Sequence, residues 1–216
     1  MAGEITLRVT EVFHSLQGET SRTGLPTVFI RLAGCPLRCT WCDTPYSFTG
    51  GSTRTLDHLL EEVAQFNTRY VCVTGGEPLA QKNCLHLLNR LSDAGYSVSL
   101  ETSGAHDIAL VDHRVSRIVD IKPPGSGESG RNRWENIDLL TARDEVKFVL
   151  TGRKDYDWAL DVIRRYDLTA RCPVLLSPVF SQLSPALLSQ WVLEDQAPVR
   201  VQVQLHKILW GEERAR

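Results

Sequence analysis

Residues 27–48 read TVFIRLAGCPLRCTWCDTPYSF, and this stretch decides the fold. Thr27 to Leu32 is an apolar, β-branched run broken by Gly34, so a buried strand should deliver the loop that begins at Cys35. Within that loop Cys35, Cys39 and Cys42 have the spacing C-x3-C-x2-C, with no fourth cysteine or histidine close by. A structural zinc site closes its tetrahedron with four protein ligands, so three leave zinc a poor match. A redox pair of Cys39 and Cys42 would leave Cys35 without a role. In a cubane of four irons, three thiolates leave one iron open to an exogenous ligand, such as the amino and carboxylate groups of a cofactor. The spacing therefore points to a [4Fe-4S] cluster with one open iron.

Downstream of the loop, Leu56, Leu59, Leu60, Val63 and Phe66 fall on one helical face, with Thr55 placed as cap. Tyr70 to Thr74 is strand-like and ends at Gly75-Gly76. Leu85, Leu88 and Leu91 then mark a helix stopped by Gly95. Further strands are expected at Ser97 to Leu100, Arg117 to Ile121, Glu145 to Leu150, Pro173 to Leu176 and Val199 to Leu205. Helices are expected from about Asp155 to Tyr166 and from Ser184, where Pro185 occupies the first helical position. Such alternation predicts an α/β fold with a parallel sheet. Pro123 to Arg133 is polar and glycine-rich and reads as a mobile loop, a lid or a linker. No repeat of fixed period is present.

The 216 residues, 42% hydrophobic and 23% charged, suit one compact domain spanning 1–216, with the cluster loop at 34–48. The net charge is −2 and no long basic run occurs, so direct nucleic-acid binding is not expected. Met1 to Thr10 lacks a basic segment followed by an apolar core, and no apolar run reaches the length of a membrane span. A cytoplasmic protein without membrane contact is the expectation. Cys72, Cys84 and Cys172 are dispersed in apolar segments and read as buried thiols.

CPLRCTWC together with TGGEP at Thr74 to Pro78 resembles the radical S-adenosylmethionine superfamily. Within it the chain is similar to the 7-carboxy-7-deazaguanine synthase family, through VFHSLQGE (Val12 to Glu19), residues 27–48, VTGGEP, LETSG (Leu100 to Gly104), DIKPP (Asp120 to Pro124) and LHK (Leu205 to Lys207). The resemblance implies a partial, open TIM-like barrel of parallel strands with helices outside, acting as a homodimer. It implies conversion of 6-carboxy-5,6,7,8-tetrahydropterin to 7-carboxy-7-deazaguanine with loss of ammonia, on the route to queuosine and related 7-deazapurines. A [4Fe-4S] cluster, S-adenosylmethionine, Mg2+ and an electron donor such as flavodoxin or ferredoxin come with it.

The resemblance also assigns residues. Leu16, Gln17 and Gly18 match a substrate-binding segment, against the simpler reading of a surface turn. Arg31 would meet the substrate carboxylate bidentately, or else pair with a structural acid such as Glu19. Thr74 should face the substrate. Trp41, Cys42 and Asp43 should contact the adenosine portion of the cofactor, and Gly76 and Glu77 its methionyl amino group. Asp120, Ile121 and Lys122, with Ser177, Pro178, Val179 and Phe180, match later cofactor-binding segments. Glu19 and His206 are the candidates for acid–base work, His206 competing with a surface role beside Lys207. Thr44 would give an oxygen to magnesium, against a local turn before Pro45. The chain departs from relatives that end near the substrate by continuing as LWGEERAR, so a terminal carboxylate role is not expected.

Two other functions share the cysteine spacing. A glycyl-radical activase is also short, but LQGE and CDTPYSF argue against it. An iron-sulfur electron carrier should saturate its cluster with four protein ligands and has no use for TGGEP.

Overall fold

The computed structural model describes residues 4–211 and 213–215. Met1 to Gly3 of the amino-terminal stretch, and Glu212 and Arg216 of the LWGEERAR tail, lie outside the described residues. One nine-stranded sheet organises the described residues, in the order β3-β1-β2-β4-β5-β6-β7-β8-β9. Its strands are β1 (Thr6–Leu16), β2 (Pro26–Leu32), β3 (Ser52–Thr55), β4 (Tyr70–Gly75), β5 (Ser97–Thr102), β6 (Ser116–Asp120), β7 (Glu145–Leu150), β8 (Val174–Pro178) and β9 (Arg200–Val201). From β2 to β9 every pairing is parallel, and β3 and β9 do not meet, so the barrel stays open.

The helices α1 (Leu56–Ala64), α2 (Cys84–Asp93), α3 (Arg153–Arg165), α4 (Leu168–Arg171) and α5 (Pro185–Glu194) connect the strands, and α6 (Leu205–Trp210) follows β9. Thr55 caps α1 as its sequence suggests, its hydroxyl accepting from His58 N at 3.2 Å. Leu59, Leu87, Leu91, Ala159 and Leu188 are fully buried in the core formed with Val28, Ile30, Val73, Leu100, Val146 and Phe148. Burying each such Leu or Val contributes roughly 1.5–3 kcal/mol of transfer free energy.

Three regions differ from the sequence expectation. β1 and β3 add an antiparallel edge: β1 is polar along much of its length, and a bulge between Val9 and Glu11 breaks its alternation. The expected strand at Val199 to Leu205 shrinks to two residues, and Leu205 opens α6. VQVQL alternates like a strand, but β9 pairs only with β8, and the amides of Gln202 and Gln204 bond the β1–β2 loop. Pro123 to Arg133 folds into short 3-10 turns, Pro124–Ser126 and Ser129–Arg131, with Ser126 completely buried.

Candidate active site

Strand alternation builds the site. Val146, Phe148 and Leu150 of β7 point to the helices, so Lys147 and Val149 point the other way, into a cavity of about 630 Å³. The same phase sends Phe29 and Arg31 of β2, Thr74 of β4, Glu101 of β5 and Asp120 of β6 to that cavity. The bulge in β1 restores the phase for Glu11 and Phe13, and the Phe13 ring stacks on Phe29 at 4.9 Å. The cavity's volume is in the range of small-molecule sites.

Leu32 hands the chain to the cysteine loop at the carboxyl end of the strands, where parallel barrels place their chemistry. Cys35, Cys39 and Cys42 all line the cavity, and none of them is in a disulfide. Burial raises the Cys35 and Cys39 thiols above their ordinary value, and the Lys122 ammonium works against this at Cys39. Glu77 N donates to Gly34 O at 2.8 Å and Gly76 N to Leu32 O at 3.1 Å, so the TGGEP turn backs directly onto the loop. A Cβ at Gly76 would come within 2.3 Å of Gly34 O, which is why this turn needs glycine. The 123–133 segment braces the loop from outside: Thr40 N donates to Ser126 O at 3.1 Å, and Arg38 N to the Glu128 carboxylate.

The opposite side of the cavity is polar. Gln17 Nε2 donates to Glu101 Oε1 at 3.2 Å, and the Thr74 hydroxyl lies 3.5 Å from Glu101 Oε2. Burial and nearby Glu19 push the Glu101 carboxyl up, while Lys147 and Arg31 pull it down, and the net shift is upward. Burial would raise Glu19 too, but the Lys147 ammonium and the Gln204 amide outweigh it and hold Glu19 ionised. Burial lowers the His206 imidazole against the pull of Glu19 and Asp43, which keeps it neutral near pH 7. His206 packs so closely on Gly18 that a Cβ there would overlap its ring.

The cavity thus brings together Leu16, Gln17, Gly18, Glu19, Arg31 and Thr74 on one side. Trp41, Asp43, Thr44, Gly76, Asp120, Lys122, Val179 and Phe180 line the remainder with the cysteines, and His206 joins from α6 rather than from a strand. Four expected cofactor contacts do not line it: Glu77, Ile121, Ser177 and Pro178. Glu77 is fully buried, its carboxylate accepting from Leu79 N, the Thr102 hydroxyl and Ser103 N. The acid paired with Arg31 is Glu11, at 2.7 Å from Nε, and not Glu19, because the β1 bulge puts Glu11 directly opposite Arg31 in register. Tyr46 donates to the same Glu11 oxygen at 3.0 Å. Thr44 serves the turn through its carbonyl, which accepts from Ser47 N and Oγ, while its hydroxyl lies 4.0 Å from Cys42 Sγ.

Glu101, Lys147 and Glu11 were not singled out from sequence. The signal was present for the first two: charged residues within apolar strands, in phase with Arg31 and Thr74.

The residues fit a cluster and a sulfonium cofactor. Among the described residues no three His, Cys, Asp or Glu side chains converge on one ion, and a cubane does not need them to, since each thiolate binds its own iron. Asp120 Oδ1, at the carboxyl end of β6 in the cavity wall, is buried with no hydrogen-bond partner among the described residues. Such an orphaned polar atom is what amino-acid and ribose groups of a bound cofactor would satisfy.

Comparison with known proteins agrees with this chemistry. The Radical SAM superfamily profile matches residues 29–167, and the chain belongs to that superfamily, whose members hold a [4Fe-4S] cluster and S-adenosylmethionine. The crystal structure of QueE from Escherichia coli shares the fold, with a TM-score of 0.75 at 24% identity over 93% of this chain and 95% of that one. The chain is 42% identical to the 7-carboxy-7-deazaguanine synthase of Koribacter versatilis (strain Ellin345), covering 96% of this chain and 98% of that protein. It is also 42% identical to the 7-carboxy-7-deazaguanine synthase of Chlorobaculum tepidum, over 98% and 97% of the two chains. It belongs to the 7-carboxy-7-deazaguanine synthase family.

Proposed function

We propose that this chain converts 6-carboxy-5,6,7,8-tetrahydropterin to 7-carboxy-7-deazaguanine, with ring contraction and loss of ammonia, for 7-deazapurine and queuosine biosynthesis. The observation that carries the reading is the two-sided cavity: three cysteines with the Gly75-Gly76 turn on one side, and a buried acceptor-rich wall of Gln17, Glu101 and Thr74 on the other. When bound, the reduced cluster and S-adenosylmethionine would supply the radical chemistry that removes hydrogen from the pterin carbon bearing the carboxylate.

The protein's own work is positioning and exclusion of water. The carboxyl and carboxamide groups of Glu101 and Gln17 match the amino and amide edge of the pterin. Glu11 holds Arg31 by its Nε and leaves the two terminal guanidinium nitrogens to meet the substrate carboxylate as a fork. Neutral His206, over Gly18, accepts or donates at the rim of the same subsite. Trp41, Asp43, Gly76, Asp120, Lys122, Val179 and Phe180 surround the cofactor. Glu77, Ile121, Ser177 and Pro178 belong to the same strand ends, Glu77 acting through the turn it ties to Thr102 and Ser103.

Thr44 would offer its hydroxyl to a Mg2+, which would supply charge to orient the substrate carboxylate. A flavodoxin or ferredoxin supplies the electron, the reaction runs in the cytoplasm on a homodimer, and residues 1–216 act as one domain. Among the described residues no helix is long and apolar enough to cross a membrane.

The test is anaerobic turnover of the reconstituted enzyme with deuterium at the pterin carbon bearing the carboxylate. Formation of 7-carboxy-7-deazaguanine with deuterium recovered in S-adenosylmethionine is expected. Cofactor cleavage without product, or product without label transfer, would overturn the assignment.

A further inference from the structure

Thr20 has φ of 70° and is 1% exposed. Every other non-glycine residue of positive φ among the described residues is exposed, so Thr20 is the one whose conformation the interior dictates. A β-branched side chain disfavours this region strongly, and such a residue persists only where its surroundings hold it.

The holding group is Gln202, 182 residues away. Thr20 N donates to Gln202 Oε1 at 2.7 Å, and Gln202 Nε2 donates to Thr20 O and to Thr23 Oγ1, each at 2.8 Å. A side-chain amide thus makes the reciprocal pair of bonds that a neighbouring strand would make. It does so just past Val201, where β9 ends and the open barrel has no further strand to offer. Adjacent bonds run along the same seam: Leu205 N donates to Gly18 O at 3.0 Å and Gln204 Nε2 to Glu19 Oε1 at 2.8 Å. The three residues before Thr20 are Gln17, Gly18 and Glu19, which meet Glu101, His206 and Lys147. The sign of φ at residue 20 sets the direction in which those three enter the cavity.

We infer that Gln202 is a positioning residue for substrate binding: its amide holds Thr20 in the left-handed conformation and so presents residues 17–19 to the pterin. The inference rests on the proposed reading that this segment contacts the substrate.

Three variants of the reconstituted holoenzyme test it: Gln202→Met, which keeps length and loses the hydrogen bonds, Thr20→Gly, and the double variant. Gln202→Met should raise KM for the pterin, and Kd for 7-carboxy-7-deazaguanine, by about tenfold, with kcat and iron content within about twofold of wild type. Thr20→Gly alone should stay near wild type, and the double variant should recover most of the loss, because glycine adopts positive φ freely. Amide hydrogen exchange over residues 17–23 should accelerate in Gln202→Met and slow again in the double variant. Should Gln202→Met not fold, Gln202→Glu, which keeps the acceptor for Thr20 N, replaces it with the same direction and the same rescue expected. Unchanged KM and exchange in the Gln202 variant, a matching loss of iron, or a double variant no better than the single would overturn the inference. Failure of wild type to bind or convert the pterin would instead overturn the functional reading, and the exchange arm still judges whether Gln202 acts through Thr20.

Discussion

Lys147 and Glu19, 128 residues apart, form a buried ion pair of 2.5 Å inside the cavity. The same ammonium stands 3.8 Å from Asp120 Oδ2, and Asp120 pairs with Lys122 at 2.9 Å. One cation therefore links the β1–β2 loop to the strand end assigned to the cofactor. Burial would lower the Lys147 ammonium, but Glu19, Asp120 and Glu101 together raise it well above its ordinary value, so it stays charged.

Removing that cation leaves two carboxylates buried without it. Lys147→Met should destabilise the protein by about 3–5 kcal/mol in urea unfolding, and Glu19→Gln in the same chain should restore part of the loss. Equal stability of wild type and Lys147→Met would show that the pair contributes nothing net.

The cysteines separate cleanly by position. Cys39→Ala should abolish a four-iron cluster on anaerobic reconstitution, because three thiolates are the minimum the loop offers. Cys84→Ala, in a fully buried helix position, should keep its iron and cost stability only. Iron analysis and absorbance spectra decide between them.

Glu101 accepts from Gln17 Nε2 at 3.2 Å and from the Cys72 thiol at 3.6 Å, and it lies 3.5 Å from the Thr74 hydroxyl. Glu101→Gln should lower kcat/KM for the pterin by about ten- to a hundredfold, mainly through KM, because one acceptor oxygen becomes a donor. S-Adenosylmethionine binding by equilibrium dialysis should not change. An equal loss in cofactor affinity would move Glu101 out of the substrate subsite.

Thr44→Ala should slow turnover and blunt the response to added magnesium while leaving the iron content intact. A chelator that spares the cluster should do the same to wild type, with recovery on magnesium addition. Metal-independent turnover in both proteins would remove magnesium from the mechanism and leave the radical chemistry standing.

Away from the site, Asp144 accepts from Arg117 Nε at 3.0 Å and Nη2 at 2.6 Å, and from Thr141 N at 2.8 Å. Burial would raise this carboxyl, but these donors outweigh it and hold it below the ordinary aspartate range. A depressed carboxyl gives stability that is present above its unfolded pKa and is lost as pH falls through the folded one. Asp144→Asn should therefore cost about 3 kcal/mol near pH 7, and the gap from wild type should shrink as pH drops below about 4. Urea unfolding across that range measures it.

Much of this was legible in the chain. TVFIRL, YVCVTG and EVKFVL are buried parallel strands because both faces are covered, and their apolar runs say so. C-x3-C-x2-C with TGGEP carried the cluster and the family. β1 was not legible, since its bulge shifts the alternation by one residue, and β3 is a short polar edge strand that no periodicity marks. VQVQL misled in the other direction: its alternation is that of a strand, yet Gln202 and Gln204 spend their amides on a loop rather than on solvent.

Local sequence determined what depends on nearest neighbours along the chain: the apolar central strands and the amphipathic helices, that three thiolates stand in one loop, and that a glycine pair closes β4. Tertiary structure alone decided the partners. Arg31 takes Glu11 rather than Glu19 because the bulge in β1 sets the register, and Glu19 is left for Lys147. Glu101 becomes part of the site, and Glu77 is withdrawn from the cavity wall, because strand phase and barrel curvature choose which face each side chain meets. Those choices are made by contacts between residues far apart in sequence, whose geometry exists only once the sheet has formed and curved.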